Sequence, residues 1–75
     1  MLSETQIAYL NDYYYAALEE LSEGTKRHEL VEILMEAEHK EDYLACAGIK
    51  KAIEFYDMQL ITQTIVNTQN KQDED

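Results

Sequence analysis

The sequence contains no proline, only two glycines and only one cysteine. Without proline, and with glycine only at positions 24 and 48, few positions favour a long loop. Alternation of apolar and polar residues of the kind that marks a half-buried strand is not sustained anywhere. Glu, Leu, Ala and Gln, which are strong helix formers, are abundant instead. The sequence therefore predicts an all-α fold.

The single cysteine excludes a disulfide within one chain, because Cys46 has no partner. A chain of 75 residues forms one domain at most. Such a small domain buries a modest fraction of its surface, and a second subunit is the simplest remaining source of stability. We therefore expect a small helical bundle that is completed by homodimerisation. The lone cysteine also favours a reducing compartment, and the expected location is cytoplasmic.

Segments that direct a protein to or through a membrane are not visible. The first residues lack the basic start and apolar core of a signal peptide. No apolar run approaches the roughly 20 residues that span a bilayer. We expect neither secretion by this route nor membrane insertion.

Basic residues are scarce: six Lys and Arg stand against sixteen Asp and Glu, giving a formal charge of −10. Such a field repels nucleic acid and anionic membranes and attracts basic surfaces. Proteins that bind DNA or RNA are the richest in basic surface. The charge therefore predicts a protein partner of that class, without direct binding of nucleic acid.

Local signals predict two to three helices. Ser3 and Gln6 form a capping-box pattern that begins helix 1, and Gly24 suits its end. Thr25 is the expected N-cap of helix 2, and the short connection predicts an antiparallel hairpin of helices 1 and 2. Asp42 can cap a third helix, although helices 2 and 3 could also be continuous. The core positions expected on helix 2 are Leu30, Ile33, Leu34 and Ala37.

The end of the chain is polar and acidic. Residues 62–66 mix β-branched and polar side chains, so the helix is expected to fray there. Residues 67–75 end in Asp-Glu-Asp and have the composition of a disordered acidic tail. The expected organisation is one helical domain over residues 1–66 and a tail over residues 67–75.

Acidic side chains recur at helical spacing, which places them in rows. Residues three or four apart on a helix lie about 5–6 Å from each other, close to the spacing of phosphates along a nucleic-acid strand. Exposed tyrosines from the Tyr13–Tyr15 run can anchor a contact, since tyrosine is enriched at interfaces. The candidate partner-binding residues are Glu29, Glu32, Glu36, Glu38, Glu41, Asp42, Tyr13 and Tyr15.

Catalytic motifs are absent from the sequence. It has no Gly-rich phosphate loop, no Cys-x-x-Cys pair and no nucleophile elbow, so we expect a non-enzymatic protein without a cofactor. Glu36 and His39 form one Glu-x-x-His step, two of which serve di-iron bundles. In a sequence this rich in glutamate, a solvated helix surface explains that step more simply. Cys46, among small residues, is expected to pack where two helices approach closely.

Three functions follow from these features. The leading hypothesis is an acidic protein that inhibits a nucleic-acid-binding protein or complex by occupying its basic surface. A phage-type anti-defence or anti-CRISPR inhibitor, acting in the cytoplasm of a bacterial host cell, fits this description. The first alternative is a homodimeric structural or assembly module without nucleic-acid mimicry. The second is a metal-binding helical dimer that uses Glu36 and His39.

Overall fold

A computed structural model describes the backbone of residues 1–73 and the side chains of residues 1–63. It contains three α-helices: α1 (Glu4–Ser22), α2 (Arg27–His39) and α3 (Tyr43–Asp73). Over residues 1–73 there is no β-strand. The prediction of an all-α fold is confirmed, and helices 2 and 3 are separate.

The predicted ends of α1 are both present. The Ser3 hydroxyl accepts the Gln6 N–H at 3.1 Å, and the Gln6 side chain accepts the Ser3 N–H at 2.8 Å. At the other end Gly24 has a φ of +104°, in the left-handed region that glycine adopts without a steric cost. The capping box and the glycine stop were therefore visible in the sequence.

The prediction that Thr25 caps α2 is wrong. The N–H of Thr25 donates to the Glu20 carbonyl at 3.0 Å, which closes the end of α1. Its hydroxyl donates to the Glu20 carboxylate at 2.7 Å and so is not turned toward α2. The N-cap is Lys26, whose N–H donates to the Glu29 carboxylate at 3.3 Å. Thr25 thus belongs to the α1 terminus, because the hydrogen bonds that close α1 fix its orientation.

The break between α2 and α3 is a tight turn. Glu41 adopts a φ of +59°, and the Asp42 N–H reaches back to the Ala37 carbonyl at 3.0 Å. The Asp42 carboxylate accepts the Ala45 N–H at 3.2 Å, as an N-cap does. The predicted role of Asp42 as the cap of helix 3 is confirmed.

Helix α3 lies along α1 in the same direction. The Tyr9 hydroxyl reaches Asp42, at the start of α3, and the Lys51 ammonium lies 4.9 Å from the centre of the Tyr14 ring. Between these contacts Gly48 is buried against α1. A Cβ at position 48 would collide with the Leu10 carbonyl oxygen and lie 2.9 Å from the Tyr13 Cβ. The close approach predicted for this small-residue segment is confirmed.

Helix α2 runs antiparallel to α3 on another side. Arg27, at the start of α2, makes paired hydrogen bonds of 3.0 Å to Asp57, far along α3. Further along α2, the Leu34 carbonyl accepts from the Cys46 thiol near the start of α3. Helices α1 and α2 each pack on α3 but make few contacts with each other. The predicted packing of α1 on α2 as a hairpin is therefore not shown.

The hydrophobic core lies where α3 meets the other two helices. Each helix contributes to it, α3 most of all. No buried side-chain nitrogen or oxygen within the described residues lacks a hydrogen-bond partner. The buried residues are Ala17, Leu21, Leu30, Ala45, Ile49, Ala52 and Ile53.

The second half of α3 extends beyond its contacts with α1 and α2. The molecule is elongated, with a longest dimension of 52 Å, and the α3 backbone is helical to Asp73. It passes residue 66, the predicted end of the helical domain. Glu74 and Asp75 lie outside the described residues, and the assignment of residues 67–75 to a disordered tail stays a prediction.

Candidate protein-binding surface

One row of carboxylates follows the outer surface of α2. Glu29, Glu32 and Glu36 are exposed and stand three and four residues apart, so the helix holds them side by side. Glu29 also accepts the Lys26 N–H, and Glu36 pairs with Lys40 at 3.2 Å. No ion pair involves Glu29 or Glu32 within residues 1–63. We call these three residues the α2 acidic row.

The other predicted carboxylates do not join this row. Glu38 is two residues from Glu36, which places it about 200° further around α2. Glu41 occupies the left-handed position of the turn, and Asp42 caps α3. The six carboxylates therefore do not form one face. Helical spacing alone sets Glu38 apart from the row, whereas the positions of Glu41 and Asp42 follow from the turn that ends α2.

Asp42 has a second structural contact. Its carboxylate accepts the Tyr9 hydroxyl at 2.7 Å, which ties the start of α3 to α1. The hydrogen bond to Asp42 raises the pKa of Tyr9 well above its usual range, because the carboxylate holds the phenolic proton. Asp42 is therefore engaged within the chain, and the exposed acids are better candidates for contacts with a partner.

A groove separates α1 from α2, and α3 forms its floor. Two adjoining cavities of about 240 and 190 Å³ share the side chains of Tyr13, Ile33 and Ile49. Ile49 is buried at the bottom, whereas Ile33 and Tyr13 are 46% and 37% exposed on the two walls. We call this feature the α1–α2 groove. It gives the surface an apolar, concave element beside the α2 acidic row.

The prediction that Ile33 is a core residue of α2 is wrong, because its side chain is exposed. Its spacing places it on the apolar face with Leu30, which is 2% exposed. The periodicity identifies that face but does not show which helix covers it. Because α1 packs on α3 and not on α2, Ile33 is left open to the groove.

Acidic side chains stand at both walls of the groove. Glu20 borders it on α1, and Glu36 borders it on α2 together with Lys40. The Glu36–Lys40 pair is largely exposed on both sides, and such pairs contribute little to stability. Glu36 can therefore exchange Lys40 for a cation of a partner at small cost.

The two candidate anchor tyrosines lie on different sides of α1. Tyr13 lines the groove and stacks at a tilt on Tyr9, with ring centres 5.2 Å apart. Tyr15 is two residues on, about 200° around the helix, and is 64% exposed. Only Tyr13 is therefore placed next to the α2 acidic row and the groove.

The surroundings of Cys46, Glu36 and His39 do not favour a reactive thiol or a metal site. Burial, followed by the charges of Glu38 and Asp42, raises the pKa of the Cys46 thiol, which keeps it protonated. Glu36 and His39 are exposed, and Glu36 pairs with Lys40. Among the described residues no three of the metal-ligating types His, Cys, Asp and Glu gather at one point.

Comparisons with protein families, with curated proteins and with solved structures give no match to this chain. Within the described part of the chain, no helix combines the length and the apolar character that a membrane span requires. The interpretation of the surface therefore depends on its own geometry and charge.

Proposed function

We propose that this chain is a non-enzymatic acidic binding protein that occupies the basic surface of a nucleic-acid-binding protein and so inhibits it. The observation that carries the proposal is the α2 acidic row, three exposed carboxylates on one rigid helix. Only Glu36 of these has a cationic partner within the described side chains. In a chain of net charge −10, this row is free to meet basic residues of another protein.

The spacing of the row supports mimicry of a phosphate backbone. Neighbouring carboxylates at three- and four-residue steps are about 5–6 Å apart, and the helix fixes them in order. The uncompensated field also speeds encounter with a basic surface, an effect that salt weakens. As part of the proposal, the chain acts as a phage-type inhibitor of a nucleic-acid-dependent defence system.

The test is capture of proteins from a bacterial lysate with the immobilised chain, followed by competition with duplex DNA. We expect capture of DNA- or RNA-handling proteins, their release by added DNA, and loss of capture in the Glu29→Lys/Glu32→Lys/Glu36→Lys variant. The matched control reverses Glu4, Glu23 and Glu54, three exposed acids on other parts of the surface.

Two results would overturn the proposal. Captured proteins that added DNA does not release would show that they are not held through a nucleic-acid-binding surface. Equal loss of capture in the row variant and in the control would show that total charge, and not the α2 acidic row, is recognised. Circular dichroism of both variants checks that the helices remain folded.

A second candidate is a homodimeric assembly module, favoured by the exposed part of α3. Phe55, Met58 and Ile61 are 44%, 66% and 60% exposed on this helix. From residue 58 to residue 70 the sequence contains no charged residue, in a chain that is 29% charged. Two copies could approach along this segment without like-charge repulsion, and dimerisation there leaves the α2 acidic row accessible.

A further inference from the structure

We infer that the α1–α2 groove binds an amphipathic α-helix of the partner, with its apolar side in the groove and basic residues along its edges. This inference rests on the proposed function and names the element of the partner that is recognised. Its basis is the coincidence of an apolar, concave surface with acidic residues on both walls.

The groove presents two helical walls and a buried floor to an added helix. Both of its walls are helices that rest on α3 and make few contacts with each other, so a position between them is open. A helix placed there would contact α1 and α2 together and complete a four-helix arrangement. The exposed Ile33 and Tyr13 would then become core residues, and the buried Ile49 would form the floor.

The length of the groove sets the length of the occupant. Its lining on α2 runs from Leu30 to Lys40, which at the rise of an α-helix is about 15 Å. About three turns of a bound helix fit this length. Apolar anchors at positions i, i+3 or i+4 and i+7 of the partner are those that a helix in a groove uses.

The acidic residues on the groove walls favour a basic helix as the bound partner element. Glu20 lines the α1 wall toward the α1–α2 connection, and Glu36 lines the α2 wall toward the α2–α3 turn, where it pairs with Lys40. Glu29 is one turn from Ile33 on α2. A helix with Lys or Arg on both edges would meet carboxylates on both sides. A second copy of this chain would bring a net charge of −10 to the same place, so like-charge repulsion disfavours it as the occupant.

The experiment uses a fluorescent peptide of about 15 residues, long enough to sample a helix. Its leucines occupy positions i, i+3, i+4 and i+7, and lysines occupy the flanks. Two comparison peptides have glutamate in place of lysine, or the same composition in scrambled order. Fluorescence anisotropy measures the affinity of each peptide for the full chain, and we expect binding of the basic amphipathic peptide only.

Two variants of the chain test the place of binding. Ile33→Glu fills the groove with a carboxylate, whereas Met35→Glu adds the same charge at an exposed apolar position about 200° around α2. We expect Ile33→Glu to weaken binding of the basic peptide at least tenfold and Met35→Glu to change it less than twofold. Because both variants make the chain more acidic, charge alone predicts no loss in either.

Several outcomes would overturn this inference. They are absence of binding by the basic amphipathic peptide, equal binding of the scrambled peptide, and an equal effect of the two variants. A dimer of the free chain that Ile33→Glu dissociates would place a second copy in the groove instead. If the inference fails while the DNA-sensitive capture still depends on the α2 acidic row, the proposed function stands without the groove.

Discussion

Replacing Gly48 by alanine should destabilise the protein, although alanine is the better helix former. At an ordinary helical position this change stabilises by about 1 kcal/mol. Here the added Cβ would lie 2.9 Å from the Tyr13 Cβ and 3.0 Å from the Tyr14 nitrogen, and it would collide with the Leu10 carbonyl oxygen. Two of these three neighbours are backbone atoms, so α1 itself must move.

The size of the effect follows from that movement. Carbon atoms in contact prefer about 3.5–4.0 Å, so α1 must shift by roughly 0.5–1 Å, which weakens its packing on α3 along the whole contact. Overpacking of this kind costs about 1–3 kcal/mol. Subtracting the gain of about 1 kcal/mol in helix propensity leaves an expected net loss of up to about 2 kcal/mol in the free energy of unfolding.

Urea unfolding followed by circular dichroism measures this difference in the free energy of unfolding. The control is Ala47→Gly at the neighbouring exposed position, which should lose about 1 kcal/mol because glycine is a poor helix former. Glycine is thus expected to be better than alanine at position 48 and worse at position 47. An increase in stability for Gly48→Ala would refute the close packing of α1 on α3.

Two further predictions concern the Tyr9–Asp42 contact and the oligomeric state. The hydrogen bond to Asp42 raises the pKa of Tyr9 in the folded state. The stability that this hydrogen bond contributes is therefore complete below pH 10.0, the pKa of Tyr9 in the unfolded chain, and is lost as the pH rises toward the higher pKa of the folded state. Tyr9→Phe should therefore remove part of the alkaline decline in the free energy of unfolding, and identical declines would contradict the hydrogen bond. For the exposed part of α3, we expect light scattering to give twice the 8.8 kDa mass of one chain, and Met58→Glu to return it to one chain. A wild-type chain that is already monomeric would rule out the assembly candidate.

The features that the sequence predicted correctly depend on near neighbours in the chain. The capping box of Ser3 and Gln6, the left-handed Gly24 and the Asp42 cap each use hydrogen bonds or backbone angles within a few residues. The role of Thr25 was wrong for a related reason. Thr25 lies between the end of α1 and the start of α2, and its N–H donates to the Glu20 carbonyl of α1. That hydrogen bond places it at the end of α1.

The binding surface was predictable only in part, because it depends on which helices pack together. Helical spacing groups Glu29, Glu32 and Glu36 and sets Glu38 apart from them, but it does not show where the turn at Glu41 places the acids that follow α2. The periodicity of α2 marks Ile33 as apolar without showing that α1 leaves it uncovered. The α1–α2 groove has no signal in the sequence, since it arises from the packing of α1 and α2 on α3.

The most direct test of the central claim is the association rate between this chain and a captured partner, measured at low and at high salt. If the α2 acidic row steers the encounter, the rate for the wild type should fall by roughly tenfold or more as salt rises. The Glu29→Lys/Glu32→Lys/Glu36→Lys variant should associate slowly at both low and high salt. A rate that does not change with salt, or a variant as fast as the wild type, would contradict recognition through this row.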